Sequence, residues 1–137
     1  MKIEVQKLSE KSIDLVECDD NSYYLIANSG ERLDPFERKL ISMGLSFKMP
    51  KGIVAHVVPL LDLFYARGIH VLESIYGSDE PIVIAIMNMT FPDHFLTKDQ
   101  TILATSYYFG STNSFHIDRG DKLAKIVFHE VRKIEYD

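Results

Sequence analysis

Apolar residues in this chain fall into short runs that turn residues separate from one another. Residues Lys2–Lys7 alternate apolar and polar side chains, the period of a strand with one buried face, and Ser12–Glu17 repeats the pattern. Tyr23–Ala27 is another β-prone run, and Asp19–Ser22 before it is a cluster of turn residues. Short strands at regular spacing with turns between them predict an all-β barrel or sandwich.

The second half of the chain continues this pattern with longer apolar runs. Arg38–Phe47 is apolar at several positions, and the strongly apolar run Ile53–Leu61 is rich in β-branched residues. Pro81–Met87 is apolar throughout, which predicts a strand that is buried on both faces. Asp121–Val131 alternates imperfectly and predicts a late strand.

One segment favours a helix. Pro59–Arg67 carries apolar residues at helical spacing, and Gly68 follows where a helix C-terminal glycine would stand. We therefore expect one short helix in an otherwise all-β chain.

Composition limits the class of protein. The 137 residues are 46% hydrophobic, which fits a single domain over residues 1–137 that can fold without disulfides. Cys18 is the only cysteine, and no signal peptide or apolar run of about 20 residues is present, so we expect a cytoplasmic protein that is not in a membrane. The 20 acidic against 15 basic residues argue against a dedicated nucleic-acid binder.

The residues that carry chemistry form no familiar motif. There is no glycine-rich phosphate loop, and the five histidines lack metal-ligand spacing, so no metal site is predicted. His56 lies inside an apolar run, which favours a hydrogen-bonded structural role. Asp79–Glu80 predicts a solvated turn rather than a metal-binding pair. Arg119–Lys122 predicts a tight turn. Its charged side chains either face solvent or bind an anion.

Four blocks of sequence nevertheless occur in a recognisable order: Pro35–Gly52, Val58–Val71, Pro81–Asn88 and Arg119–Phe128. The last block, RGDKLAKIVF, is the most specific single string. Together the blocks resemble the trimeric dUTPases and their relatives the dCTP deaminases, whose fourth motif is usually Gly-Asp-Arg-Ile-Ala-Gln-Leu-Val-Phe. The resemblance implies a distorted, jelly-roll-like β-barrel with one short helix, and a homotrimer that builds its sites between subunits.

The family's phosphate and metal positions are substituted. Tyr24 stands where the first motif has an acidic residue associated with magnesium. Leu60 and Leu61 replace the Arg-Ser pair of the second motif, and Asp62 replaces its glycine. Two leucines cannot hydrogen-bond phosphate oxygens as a guanidinium and a hydroxyl do, and a carboxylate repels them.

The remaining motifs also differ. In the third motif, Glu73 would stand in for the general base and Tyr76 for the aromatic residue that packs on the sugar. Lys125 occupies the glutamine position of the fourth motif, and the family's glycine-rich C-terminal arm has no counterpart. Residues needed for folding are kept while those needed for phosphate chemistry are replaced. The resemblance therefore implies a non-catalytic binding, regulatory or structural trimer without a cofactor, of a kind expected in a virus or phage.

Two other functions stay open. One is an enzyme with altered chemistry, like a dUTP diphosphatase or a dCTP deaminase, which would use Glu73, Asp79 or Glu80 with Mg²⁺. The other is a nucleotide-binding protein without turnover. Its candidate anion-binding residues are Arg67, His70, Arg119, Asp121, Lys122 and Lys125.

The segment Met89–Ser114 is longer than the family pattern. It carries the aromatic run Tyr107, Tyr108 and Phe109. These side chains either fill the core from an extra pair of strands or protrude and contact a protein partner.

Overall fold

The computed structural model describes residues 2–19, 21–91, 113–132 and 134. Within these residues the chain forms short strands and one helix, which confirms the all-β prediction. The elements in chain order are β1 (Glu4–Lys7), β2 (Val16–Asp19), β3 (Ser22–Ile26), β4 (Glu31–Leu33), β5 (Arg38–Ser42), β6 (Leu45–Lys48), β7 (Ile53–Pro59), α1 (Leu61–Arg67), β8 (Ile69–Val71), β9 (Ser74–Tyr76), β10 (Val83–Asn88), β11 (Phe115–Ile117) and β12 (Lys122–Glu130).

The strands pair antiparallel in sheets that share one core. A five-stranded sheet has the order β2-β3-β12-β7-β9, and a three-stranded sheet has the order β5-β10-β8. Strands β1 and β6 form one further pair, and β4 and β11 form another. All these sheets contribute side chains to one buried cluster, whose largest members include Leu25, Leu33, Phe47, Ile84 and Ile126.

The helix lies where the sequence predicts it. Helix α1 begins after Leu60 and ends at Gly68, which adopts the left-handed conformation with φ 69°. The Gly68 N–H donates to the carbonyls of Leu63 and Phe64 and so satisfies helix-end acceptors. A residue with a Cβ would be strained at this φ, so the glycine fixes the end of the helix.

Two strand predictions are wrong in detail. Strand β10 alternates between half-buried and buried residues, so only the face of Ile84, Ile86 and Asn88 is fully buried. The strand predicted over Ser12–Glu17 begins only at Val16, as β2, and the Ser12 hydroxyl ahead of it donates to the Gly44 carbonyl (2.6 Å). An apolar run shows that a strand is buried but not whether both of its faces are covered.

Candidate functional site

Tyr24 lies on strand β3. This strand pairs with β12, which contains most of the RGDKLAKIVF block. Tyr24 pairs in register with Lys125 of β12. The ammonium of Lys122 lies 4.3 Å from the centroid of the Tyr24 ring, and that of Lys125 lies 5.9 Å from it. Both distances allow cation–π attraction. Two cations predicted to bind an anion therefore contact an aromatic ring, at the position to which the resemblance assigns the family's carboxylate.

The surroundings of Tyr24 keep its hydroxyl neutral. A hydrogen bond with the Cys18 side chain raises the pKa of Tyr24, and the charge of Cys18, desolvation, and the carboxylates of Asp19 and Asp62 raise it further. Asp62 therefore lies within electrostatic range of Tyr24. The fold places Tyr24 and Asp62 near each other, although 37 residues separate them in the chain.

The start of α1 is apolar. A shallow cavity of about 220 Å³ is lined by Pro59, Leu60, Leu61, Phe64 and His70. Leu60 precedes the helix and makes no side-chain cap hydrogen bond. His70 supplies the only polar side chain of this lining, and its ring packs against the edge of Phe64 with centroids 5.7 Å apart. The leucine pair offers phosphate oxygens no side-chain donor.

The other charged candidates have intramolecular partners. The Arg119 guanidinium donates from Nη1 to the carbonyls of Lys11 (2.7 Å) and Asn28 (2.8 Å), and so ties three segments together. The Arg67 guanidinium lies 5.0 Å from the centroid of the Phe115 ring. Asp121 accepts a hydrogen bond from the Asp118 N–H, which closes the predicted tight turn. Their role in anion binding stays a prediction.

Glu73 directly precedes strand β9 and Tyr76 ends it, and the two residues have different surroundings. The Glu73 carboxylate is exposed and lies 2.7 Å from His56 Nε2. The Tyr76 hydroxyl donates to the Val83 carbonyl, and its ring packs against the core. Glu73 is thus accessible to a ligand in the described part of the chain, whereas the hydroxyl of Tyr76 is used within the protein.

A second histidine extends this contact, and sequence reasoning missed it. His56 Nδ1 lies 2.9 Å from His129 Nε2, so Glu73, His56 and His129 form a hydrogen-bonded series. The hydrogen-bonded role predicted for His56 agrees with this geometry. Both histidines occupy outward positions on neighbouring strands, a pattern visible in the sequence only once the pairing of β7 with β12 is known.

Other sequence predictions can be placed briefly. Asp79–Glu80 lies in a turn, in which Glu80 accepts the Gly77 N–H (2.8 Å). Tyr107, Tyr108 and Phe109 fall outside the described residues. Among the residues that are described, no group of three or more histidine, cysteine or acidic side chains is arranged for a metal ion. Nor does any helix there have the length and apolar character needed to cross a membrane.

Comparison with known proteins identifies the fold. No family model matches the chain. A deoxyuridine 5'-triphosphate nucleotidohydrolase of avian adenovirus 8 is 24% identical over 105 residues, or 77% of this chain, which spans about half (53%) of that relative. The dUTPase of phage phi11 of S. aureus superposes with a TM-score of 0.81 at 16% identity, over 100% of this chain and 95% of that one. The dUTPase of Staphylococcus bacteriophage 80alpha gives 0.80 at 15% identity, over 99% and 86%.

The chain has the dUTPase-like fold. The resemblance carried by the four sequence blocks is confirmed at this level. On the dUTPase-like fold these blocks lie on β5 and β6, on α1 and β8, on β10, and on β12. The strands that the blocks form supply much of the buried core, including Phe47, Ile84 and Ile126.

Proposed function

We propose that this single-domain dUTPase-like protein is a homotrimer that serves as a binding or regulatory module and does not hydrolyse dUTP by the family mechanism. The observation that carries the proposal is the apolar cavity at the start of α1. Leu60 and Leu61 line it where the resemblance places the Arg-Ser pair that binds phosphate.

The physical reason lies in the transition state of phosphoryl transfer. Catalysis of this reaction depends on cations and hydrogen-bond donors held at the phosphate oxygens. Here the Lys122 ammonium faces the Tyr24 ring, and the Arg119 guanidinium donates to backbone carbonyls. Asp62, in the first turn of α1, adds a negative charge beside the cavity. A triphosphate would meet few free donors there and one repelling carboxylate.

A regulatory role has a precedent among proteins of this fold. The bacteriophage 80alpha dUTPase is described as controlling the transfer of virulence genes by a proto-oncogenic G protein-like mechanism. A viral or phage origin would fit such a role, and the site of action would then be the host cytoplasm. The proposed partner is a protein that contacts the segment Met89–Ser114.

Exposed apolar side chains support self-association. Several large hydrophobic residues on the outer surface are well exposed, namely Leu40 (76%), Leu61 (72%), Tyr65 (81%) and Ile75 (63%). Exposed apolar area of this kind commonly marks a protein interface. Light scattering of the purified protein should give three copies, and a monomer at micromolar concentration would contradict the proposed trimer.

The test of the catalytic part is direct. The protein is incubated with dUTP and Mg²⁺, and with the other deoxynucleoside triphosphates, and the products are separated by chromatography. We expect no diphosphate release and no deamination above the uncatalysed rate. As a gain-of-function control, Leu60→Arg with Leu61→Ser should increase affinity for inorganic pyrophosphate by about tenfold, because it restores charge-assisted donors. Turnover by the unaltered protein would contradict the proposal.

One observation favours the enzyme alternative. The Glu73 carboxylate is held by His56 and remains exposed, as a general base that activates water must be. In that case Mg²⁺ would neutralise the phosphates. Turnover that disappears in Glu73→Gln, with the fold unchanged, would establish this alternative. Binding of a nucleotide without turnover, measured by calorimetry and weakened in Arg67→Ala, would instead establish the nucleotide-binding alternative.

A further inference from the structure

Strands β1 and β2 follow each other in the chain but belong to different sheets. Among the described strands, β1 pairs only with β6, and β2 pairs only with β3 at the edge of the five-stranded sheet. Each of the two strands therefore has one open edge in the part of the chain that the structure describes. An open edge presents backbone N–H and C=O groups that can pair with a further strand.

A groove of about 430 Å³ lies beside β1 and the start of β2. It is lined by Ile3, Val5, Asp14, Leu15, Tyr23 and Phe128. The Tyr23 and Phe128 rings pack edge to face with centroids 6.4 Å apart, and Phe128 packs in the same way on buried Phe47 (5.2 Å). Val5 pairs in register with Phe47 and so shares its face of the sheet, yet Val5 is 42% exposed. The described residues thus leave an aromatic floor of the groove uncovered.

The open edge of β1 has a defined backbone pattern. The N–H of Leu8, directly after β1, donates to the carbonyl of Gly44, directly before β6 (2.9 Å). Successive residues of a strand direct their N–H and C=O groups to opposite sides. Counting back from Leu8, the N–H groups of Val5 and Lys7 therefore point away from β6, to the open edge.

The borders of the groove carry an excess of acidic side chains. Glu4 on β1 and Glu17 and Asp19 on β2 are exposed, and no described residue forms an ion pair with them. Lys7 is the basic residue of these two strands, and its ammonium already lies 3.2 Å from the Asp14 carboxylate. A segment with basic side chains therefore complements these borders, whereas an acidic segment is repelled.

We propose that this groove binds an extended segment of a protein partner in which apolar and basic residues alternate. The segment adds to the open edge of β1 through main-chain hydrogen bonds at Val5 and Lys7. Because the side chains of a strand alternate, its apolar residues cover Tyr23 and Phe128 while its basic residues face outward toward the acidic borders. The inference adds an interaction surface to the proposed function and does not depend on the proposed loss of dUTP hydrolysis.

Three short capped peptides test the proposal by fluorescence anisotropy. The first alternates lysine and valine. The second replaces the central valine of the first by proline, which keeps the charge but interrupts the strand. The third alternates glutamate and valine. The lysine–valine peptide should bind at least about tenfold more tightly than either of the others. Equal affinity of the lysine–valine and proline peptides would show attraction by charge alone and would overturn the proposal, as would no binding of the lysine–valine peptide.

Variants of Val5 locate the bound peptide. Val5→Pro removes an N–H of the open edge, and Val5→Lys adds a positive charge to the groove. Each should weaken binding of the lysine–valine peptide by at least about tenfold. Val5→Thr keeps the N–H and a β-branched side chain, and Ile75→Lys adds the same charge at the edge strand β9, so both should bind as the unaltered protein does. Circular dichroism shows whether each variant folds, and Val5→Lys decides the matter if Val5→Pro does not. An equal loss in Val5→Lys and Ile75→Lys would contradict the proposed site.

Hydrogen exchange and light scattering identify the occupant. With the lysine–valine peptide bound, the amides of Val5 and Lys7 should exchange more slowly than in the free protein. Unchanged exchange at these two amides would mean that the peptide binds elsewhere, against the proposal. Light scattering should give the same number of copies for Val5→Lys as for the unaltered protein. A different number would show that a second copy of this chain fills the groove, and the proposal of a separate protein partner would then be wrong.

Discussion

The ammonium of Lys122 lies 4.3 Å from the centroid of the Tyr24 ring, across the boundary between β12 and β3. Lys125, which pairs in register with Tyr24 on the neighbouring strand, approaches the same ring at 5.9 Å. The ring therefore holds two cations on the outer face of the five-stranded sheet. The contact joins the two segments that the sequence resemblance assigns to the family's first and fourth motifs.

Replacing the ring should weaken this contact. In Tyr24→Leu the cations lose the ring's negative face, so the urea midpoint of unfolding should fall below that of Tyr24→Phe, which keeps the ring and loses only the hydroxyl. Added salt should reduce the difference between the two variants, because it screens the lysine charges. Identical midpoints for the two variants would show that the cation–π contact does not contribute.

Gly44 should be intolerant of a side chain. Its φ is +68°, and an added Cβ would lie 2.5 Å from Ser12 Oγ and 2.6 Å from Asn28 Nδ2. Gly44→Ala should lower the free energy of unfolding by about 3 kcal/mol, from backbone strain and steric overlap together. In Gly120→Ala, where φ is +99° but the space is open, the strain acts alone and the loss should be about 1–2 kcal/mol. Equal losses, measured by urea unfolding, would contradict the steric part of the argument.

Asn88 ties the end of β10 to the end of β4 and to the segment that precedes β11. Its buried amide donates to the carbonyls of Leu33 (3.0 Å) and Asn113 (2.8 Å) and accepts from the N–H and the hydroxyl of Thr90. Asn88→Leu should cost at least about 2 kcal/mol in the free energy of unfolding, because several buried polar groups lose a partner. Thr90→Val removes a single hydroxyl and should cost about 1 kcal/mol. A smaller loss for the asparagine variant than for the threonine variant would contradict this account.

Asp34 makes the free energy of unfolding depend on pH in the acidic range. A hydrogen bond from the Ser114 hydroxyl, reinforced by Arg32, holds the pKa of the Asp34 carboxyl below its ordinary value of 3.8. Because the pKa of Asp34 is lower in the folded state than in the unfolded state, its ionised carboxylate stabilises the fold at pH values above 3.8. This contribution disappears as the pH falls through the folded-state pKa. Ser114→Ala should raise the pKa of Asp34, as measured by carbon NMR of the carboxyl.

Ser114→Thr is the matched control for that titration, because it keeps the hydroxyl. Its Asp34 should titrate as in the unaltered protein, and the acid limb of its stability curve should not move. If alanine and threonine shift the Asp34 titration equally, the hydroxyl is not the cause of the lowered pKa.

Much of the fold could be read from local sequence. Gly68 set the end of α1, because glycine permits a left-handed backbone conformation that other residues disfavour. Strand limits were less predictable. The hydrogen bond from Ser12 to Gly44 ahead of β2 and the one-sided burial of β10 depend on which segments the fold brings together. Both are contacts between distant segments.

The sequence by itself determined the all-β class, the short helix and the dUTPase-like order of motifs, since turn chemistry, strand periodicity and motif spacing are local properties of the chain. It also predicted, through the resemblance, which residues stand at the family's phosphate and metal positions. Only the tertiary structure decided that Lys122 faces Tyr24 and that Glu73, His56 and His129 meet. These contacts arise from the pairing of strands far apart in the chain, and the register of that pairing is fixed by burial of the shared core.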